Sequence, residues 1–248
     1  ATHPDDEERR DAPSAEEFYD RYYVANRPVI LRGLVSEWPA MERWQFPALV
    51  ERLGDRVVTI NARRESDPFF GAVRAGRTET LPLREFVARI LTTAASNDFY
   101  LVGQNAALTG PLAPMLDDIA MPEGWISPVR PLPDTSLWMG PAGAITRLHH
   151  DGYSVLACQV VGRKQWYLVP PLERGLLDRV RDAHSTLDPE TQPLDDVLVK
   201  RFVLEAGEAL FVPPGWWHHV RALAPSISVS IKAWARPVDL AFLRLGDR

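Results

Sequence analysis

The stretch that most restricts the fold begins near Ser136. Short apolar segments follow one another there: "SLWMGPAG", "SVLACQVVG", "KQWYLVPP", "VKRFVLEAG", "EALFVPPG" and "SISVSIKAWA". Each is too short for a buried helix, and Gly or Pro separates most of them, so they read as strands of a sandwich or barrel. The economical arrangement is a mainly β jelly roll, a double-stranded β-helix over residues 136–236. Between its strands, "LERGLLDRVRDAHSTLDPETQPLDD" is polar and is expected to be a partly helical insertion (171–196).

The preceding residues alternate helix and strand signals. "ATHPDDEERRDAP" (1–13) is charged and is expected to fray. Ser14 followed by Glu17 reads as a capping box opening a short helix. "PVILRGLV", "VVTINA" and "DFYLVGQ" read as strands, while "WQFPALVERLG" and "LPLREFVARILTTA" have helical spacing, the first ending at Gly54. Residues 14–135 therefore form an α/β region packed on the barrel, within one domain spanning 1–248. The closing "VDLAFLRL" (within 237–248) reads as an apolar helix that docks on the barrel or on a second subunit, as in a homodimer.

Composition narrows the setting. With 248 residues, 46% of them hydrophobic, the chain can bury a sizeable core. The net charge of −5 and the lack of a basic stripe argue against a nucleic-acid partner. No apolar run is long enough to cross a membrane. The lone Cys158 excludes an internal disulfide, and a cytoplasmic setting is the default.

Ionisable chemistry gathers at "TRLHHDG". In a strand, residues i and i+2 share a face, so His149 and Asp151 project together while His150 points away. Of the 6 histidines, His3 lies in the tail and His184 in the insertion, which leaves His218 or His219 of "GWWHHV" as a third partner. Two histidines and one carboxylate make a facial triad with open positions, which suits non-haem Fe(II). An isolated His-x-Asp is more often a satisfied surface pair, and "GWWHH" alone could edge an aromatic core. Together they favour a metal, because a carboxylate buried beside histidines is costly without a cation. Lys164 sits among apolar residues. It either snorkels to solvent or meets the far carboxylate of a dicarboxylate ligand. Thr146 and Tyr100 could lend hydroxyls to that carboxylate, although each alone reads as an ordinary strand residue.

These motifs resemble a known family. "TRLHHDGYSVLACQVVGRKQWYLVPP" with "LEAGEALFVPPGWWHHV" looks like the JmjC-type, or cupin-8-like, Fe(II)/2-oxoglutarate oxygenases. Their pattern is T-x-x-H-x-D, Q-x-x-G-x-K, a Pro-Pro turn, then G-[DE]-x-L-[FY]-[IV]-P-x-x-W-W-H. "NRPVILRGLVSEWPA" resembles their opening, and the style is that of small protein hydroxylases such as the asparaginyl hydroxylase that inhibits hypoxia-inducible factor. The resemblance implies that His149, Asp151 and His218 hold iron. It implies that Lys164, helped by Thr146 and Tyr100, binds 2-oxoglutarate. Val155 and Lys232 stand where the asparaginyl hydroxylase has asparagines, so Lys232 either joins the 2-oxoglutarate site or points outward. Trp138, Trp166 and Trp234 are candidate pocket walls, and core packing accounts for each equally well. The implied reaction consumes O2 and 2-oxoglutarate, releases succinate and CO2, and hydroxylates an amino-acid side chain in a peptide, a protein or a free amino acid. Two alternatives are N-methyl (lysine or arginine) demethylation on the same site, and a metal-binding cupin without oxygenase activity. The latter usually carries His-x-His with a glutamate, whereas this chain has Asp151 and Val155.

Overall fold

Alternation along single strands decides which surfaces pack. In "SISVSI" the residues Ile227, Val229 and Ile231 are fully buried on one side, while Ser226, Ser228 and Ser230 take the other. The computed structural model describes residues 8–66, 77–129, 131–171, 173, 179–181, 183–192 and 197–236. The amino-terminal region supplies β1 (Arg9–Asp11), β2 (Val29–Arg32), β3 (Val57–Ala62), β4 (Thr78–Pro82) and β5 (Phe99–Tyr100). Its helices are α1 (Ala15–Phe18), α2 (Ala40–Arg43), α3 (Phe46–Leu53) and α4 (Leu83–Thr92). The second half supplies β6 (Thr135–Gly140), β7 (Ile145–His150), β8 (Val155–Val161), β9 (Lys164–Val169) and β10 (Arg179–Arg181). It continues with β11 (His184–Ser185), β12 (Lys200–Leu204), β13 (Ala209–Val212), β14 (Trp217–Ala222) and β15 (Ser226–Ile231).

Two six-stranded sheets, β1-β2-β13-β8-β15-β6 and β10-β11-β7-β14-β9-β12, face each other as a jelly roll. Ile30, Ala157 and Leu210 of the first pack against Trp166, Leu168 and Val220 of the second, so these residues fill the interior. The outer face of the first sheet, with Cys158, Phe211 and Val229, meets the amino-terminal helices in a separate and larger core. Phe18 stacks there on Trp125 at 4.4 Å. The expected α/β region packed on a β-helix is therefore what forms. Gly162 makes the β8–β9 turn with φ of 71°, where a Cβ would stand 2.2 Å from the Pro225 carbonyl oxygen.

Local expectations hold at several points and fail at two. Ser14 caps α1 by accepting from the Glu17 N–H, and α3 stops at Gly54 as its spacing predicts. Glu17 does not return the capping bond; its carboxylate pairs instead with Arg10 and Arg21. Residues 9–11 are not frayed: they pair in parallel with β2, Arg9 opposite Ile30. Their charges are matched rather than merely solvated, Arg9 by Glu208 and Asp11 by Arg32. In the insertion, Pro171 and Glu173 lie in a short helical turn, and β10 and β11 extend the second sheet at its β7 edge. The closing helix (237–248), expected to dock on the barrel or on a second subunit, lies outside the described residues.

Asp118 locks the amino-terminal helices together. Fully buried, it accepts from Trp44 Nε1, Arg43 and Arg52, each at 2.9 Å. Its charge is thereby matched by cations from both α2 and α3.

Candidate metal centre

The centre starts from a cross-strand pair. β7 and β14 run antiparallel with His149 directly opposite His218, and the two ring centroids lie 4.0 Å apart. Asp151 follows just beyond β7, where its carbonyl accepts from the Gly215 N–H at 2.8 Å. Its Oδ2 stands 3.9 Å from His218 Nε2. One ligand atom from each of His149, Asp151 and His218 lies within 4.8 Å of the others, so a single ion could touch all three.

The rings are prepared for that role. His149 Nδ1 faces the Arg147 carbonyl at 2.8 Å, and His218 Nδ1 faces that of Trp216 at 3.1 Å. A proton on each Nδ1 satisfies both carbonyls and leaves the Nε2 lone pairs free for a cation. Burial, then the His218 ring, pushes the His149 pKa down to about 4. Burial lowers that of His218 as well, so both imidazoles are neutral near pH 7.

Strand parity sorted the neighbouring histidines correctly. His150 points away and meets Trp217 edge-on at 4.7 Å, and His219 points away and meets Tyr167 at 5.6 Å. Parity alone would put Thr146, three residues before His149, on the wrong face. A bulge corrects this: His218 and Val220 share a face on β14, and they pair with His149 and Thr146. The extra residue in β7 returns Thr146 to the interior side. His184 was set aside with the insertion, yet β11 places it opposite His149, with rings stacked at 5.6 Å. Its short strand offered no sequence signal for this pairing.

A second chemical group lies deeper. Lys164 is only 3% exposed, so it does not snorkel. Its Nζ donates to Tyr100 Oη at 3.1 Å and to Ser228 Oγ at 2.6 Å. Sequence reading missed Ser228, although hydroxyls at every second position of a core strand were the available signal. It also missed Arg64, a buried guanidinium 5.0 Å from the centre of the Tyr100 ring, which donates to the Ile145 carbonyl at 2.6 Å. Burial brings its pKa down to about 10.

Lys232 does not join Lys164. Its ammonium lies over the Tyr153 ring instead. Val155 packs in the interior beside Trp166. Trp166 stacks 6.0 Å from the His218 ring, and Trp138 stands 6.0 Å from Tyr100 while donating to Ser230 Oγ at 2.9 Å. Trp166 thus lies beside the ligand set and Trp138 beside Tyr100, each packed in an interior cluster. Trp234 packs instead in the other core, against Phe18 and Tyr23.

Asp188, Glu190 and His219 form a second acidic group on the outer face of the sheet. There Arg221 Nε already donates to both Glu190 oxygens, at 2.8 and 2.6 Å. That contact fastens the insertion to β14 and answers the carboxylate charge without an ion.

Comparison with known proteins agrees with this geometry. Residues 14–239 match the cupin-like domain. The chain belongs to the cupin-like domain family. Among relatives of this cupin-like chain, a Jumonji C domain-containing protein of Drosophila melanogaster is 31% identical over 240 residues, covering 89% of this chain and 58% of its own length. A lysine-specific demethylase of Arabidopsis thaliana is 29% identical, covering 90% of this chain and 53% of its own length. A bifunctional peptidase and (3S)-lysyl hydroxylase of Homo sapiens is 28% identical, covering 88% of this chain and 80% of its own length. The cupin-like chain thus spans little more than half of the first two relatives. No helix among the described residues is long and apolar enough to cross a membrane.

Proposed function

We propose that this chain is an Fe(II)- and 2-oxoglutarate-dependent dioxygenase that hydroxylates an amino-acid side chain in a peptide, a protein or a free amino acid. One observation carries the reading: two neutral imidazoles with a carboxylate, and a buried lysine ammonium, lie on interior faces of the same barrel. The donor set fits Fe(II), with two imidazole nitrogens, one carboxylate and room for three further ligands. His149, Asp151 and His218 would hold the ion. Once bound, it would supply dioxygen activation coupled to the oxidative decarboxylation of 2-oxoglutarate to succinate and CO2.

The chain's own residues do the positioning. Lys164 offers a charge-assisted bond to the far carboxylate of 2-oxoglutarate, with Tyr100 and Thr146 as hydroxyl partners. Trp166 and Trp138 keep the interior apolar and narrow, which limits water at the reacting centre. A cytoplasmic setting fits the single buried cysteine.

N-methyl demethylation is the second reading, favoured by the name of the Arabidopsis relative, whereas that of the human relative favours hydroxylation. The test loads the protein with Fe(II) and 2-oxoglutarate under anaerobic conditions. Oxygen and a panel of peptides and amino acids are then admitted. Hydroxylation yields succinate and a product heavier by about 16 mass units. Formaldehyde release marks demethylation, and no decarboxylation under any condition marks a cupin without oxygenase activity.

A further inference from the structure

The polar face of β15 continues past its end. Ser228 bonds Lys164, Ser230 accepts from Trp138, and Lys232 is the next residue in that alternation. At about 3.3 Å per residue, Lys232 stands roughly 13 Å along the chain from Ser228, which separates it from the Lys164 group.

Lys232 reaches the metal side of the barrel. Its Nζ lies 5.2 Å from the centre of the Tyr153 ring, and Tyr153 follows Asp151 by two residues, close enough that burial and then the Asp151 carboxylate hold the phenol proton more firmly. Tyr153 is a large aromatic left 47% exposed at that point. Among the described residues, Lys232 forms no ion pair; its backbone N–H donates to the Asp134 carbonyl at 3.0 Å. Several cations of this protein have carboxylates, Arg221 with Glu190, Arg9 with Glu208 and Arg52 with Asp118, while the buried Lys164 is met by two hydroxyls and Arg64 by a backbone carbonyl. A half-buried lysine whose ammonium rests on an aromatic face has part of its hydration removed and keeps its donors free for a further partner. The partner its chemistry lacks is an anion.

We propose that Lys232 and Tyr153 form an anion-recognising lip beside Asp151, and that the substrate presents a carboxylate to it. This deepens the hydroxylase reading, on which it rests for the place of the reacting carbon. The carboxylate is either an Asp or Glu side chain next to the reacting residue or the α-carboxylate of a free amino acid. The same ammonium opposes entry of a lysine side chain by like-charge repulsion. It therefore separates this chain's preference from the lysine named for the Arabidopsis and human relatives.

The experiment measures binding to the Fe(II)- and 2-oxoglutarate-loaded protein without oxygen. Probes are capped peptides that differ only as Asp/Asn or Glu/Gln, and free aspartate beside its capped form to separate the two sources. Wild type should hold the acidic member about tenfold more tightly than the amide. Lys232→Met should erase that preference, and Lys232→Glu should reverse it towards lysine-containing peptides. Equal binding of acidic and amide members by wild type, including none by either, overturns the inference. So does a preference that survives Lys232→Met, or a large loss of 2-oxoglutarate affinity in that variant, which would return Lys232 to the cosubstrate. Product formation is read separately. An acidic preference without decarboxylation sinks the hydroxylase reading and leaves the lip standing, whereas hydroxylation with no acidic preference does the opposite.

Discussion

Lys164 Nζ donates to Ser228 Oγ at 2.6 Å, joining the two sheets of the barrel through its interior. With Tyr100 the serine keeps a buried ammonium satisfied before any carboxylate arrives. If that carboxylate belongs to 2-oxoglutarate, Lys164→Ala should weaken its apparent affinity at least about tenfold and leave iron binding nearly intact. Lys164→Arg should recover only part, since a planar guanidinium does not fit the two hydroxyls as an ammonium does. Ser228→Ala should cost less, a few-fold, because the charge remains. Metal-to-ligand absorbance, titrated anaerobically, reads all three. Normal affinity in Lys164→Ala would remove the lysine from the cosubstrate site.

Much of this was legible beforehand because it rests on periodicity. The jelly roll follows from strand length and punctuation, and the outward turn of His150 and His219 follows from parity. What parity could not give was the extra residue in β7, which has no glycine or proline to announce it and which brings Thr146 inward. Partners chosen by tertiary contact were also hidden. His184 beside His149, Arg64 over Tyr100 and Asp118 beneath α2 and α3 depend on elements distant in sequence. The charged start misled because a backbone ladder to β2, not apolar burial, holds β1 in place.

Asp151 is the anionic member of the ligand set. Asp151→Ala should abolish tight Fe(II) binding and turnover, since two neutral imidazoles alone hold a divalent ion weakly. Iron content after desalting decides it. A variant that keeps stoichiometric iron would show the ion lies elsewhere.

The paired histidines give a sharper contrast. His149→Ala and His218→Ala should lose metal, while His150→Ala and His219→Ala should keep it. The latter two rings face Trp217 and Tyr167, so their removal should lower stability by about 1 kcal/mol. Metal content and a denaturant midpoint measured on all four proteins read both effects. Reversed metal loss at either pair would mean that the strand register is wrong there.

Asp118 tests the amino-terminal packing independently of the metal. Removing its carboxylate strands the Trp44 N–H and leaves Arg43 and Arg52 facing each other without an anion. Asp118→Ala should cost about 1–3 kcal/mol in urea unfolding, mainly for the stranded Trp44 N–H, since both arginines reach solvent. Asp118→Asn, which can still accept from Trp44, should cost less. An unchanged midpoint in Asp118→Ala would show that the helices are held by apolar contacts alone.

The metal-free protein should weaken as pH falls through the weakly acidic range. The His149 pKa lies at about 4 in the folded chain against an ordinary value of 6.5, because burial and the His218 ring disfavour its charged form. His218 shifts the same way through burial. Between those values the unfolded chain binds more protons than the folded one, so unfolding gains ground as pH drops from about 6.5 towards 4. Above that window these groups no longer contribute a slope. Glu190 acts in a lower window. Burial raises its pKa, but His219 and Arg221 more than reverse this and hold it at about 2, so its contribution disappears only as pH falls from 4.5 towards that value. Melting temperatures of the metal-free protein across both windows should therefore show two separate declines. His149→Ala should flatten the upper one, and Glu190→Gln the lower. A bound ion needs the same neutral rings, so metal should be released by acid well below the ordinary histidine range. If iron instead dissociates near pH 6.5, or if His149→Ala leaves the upper decline untouched, the imidazoles are not held neutral by burial and the donor set is not prepared in advance.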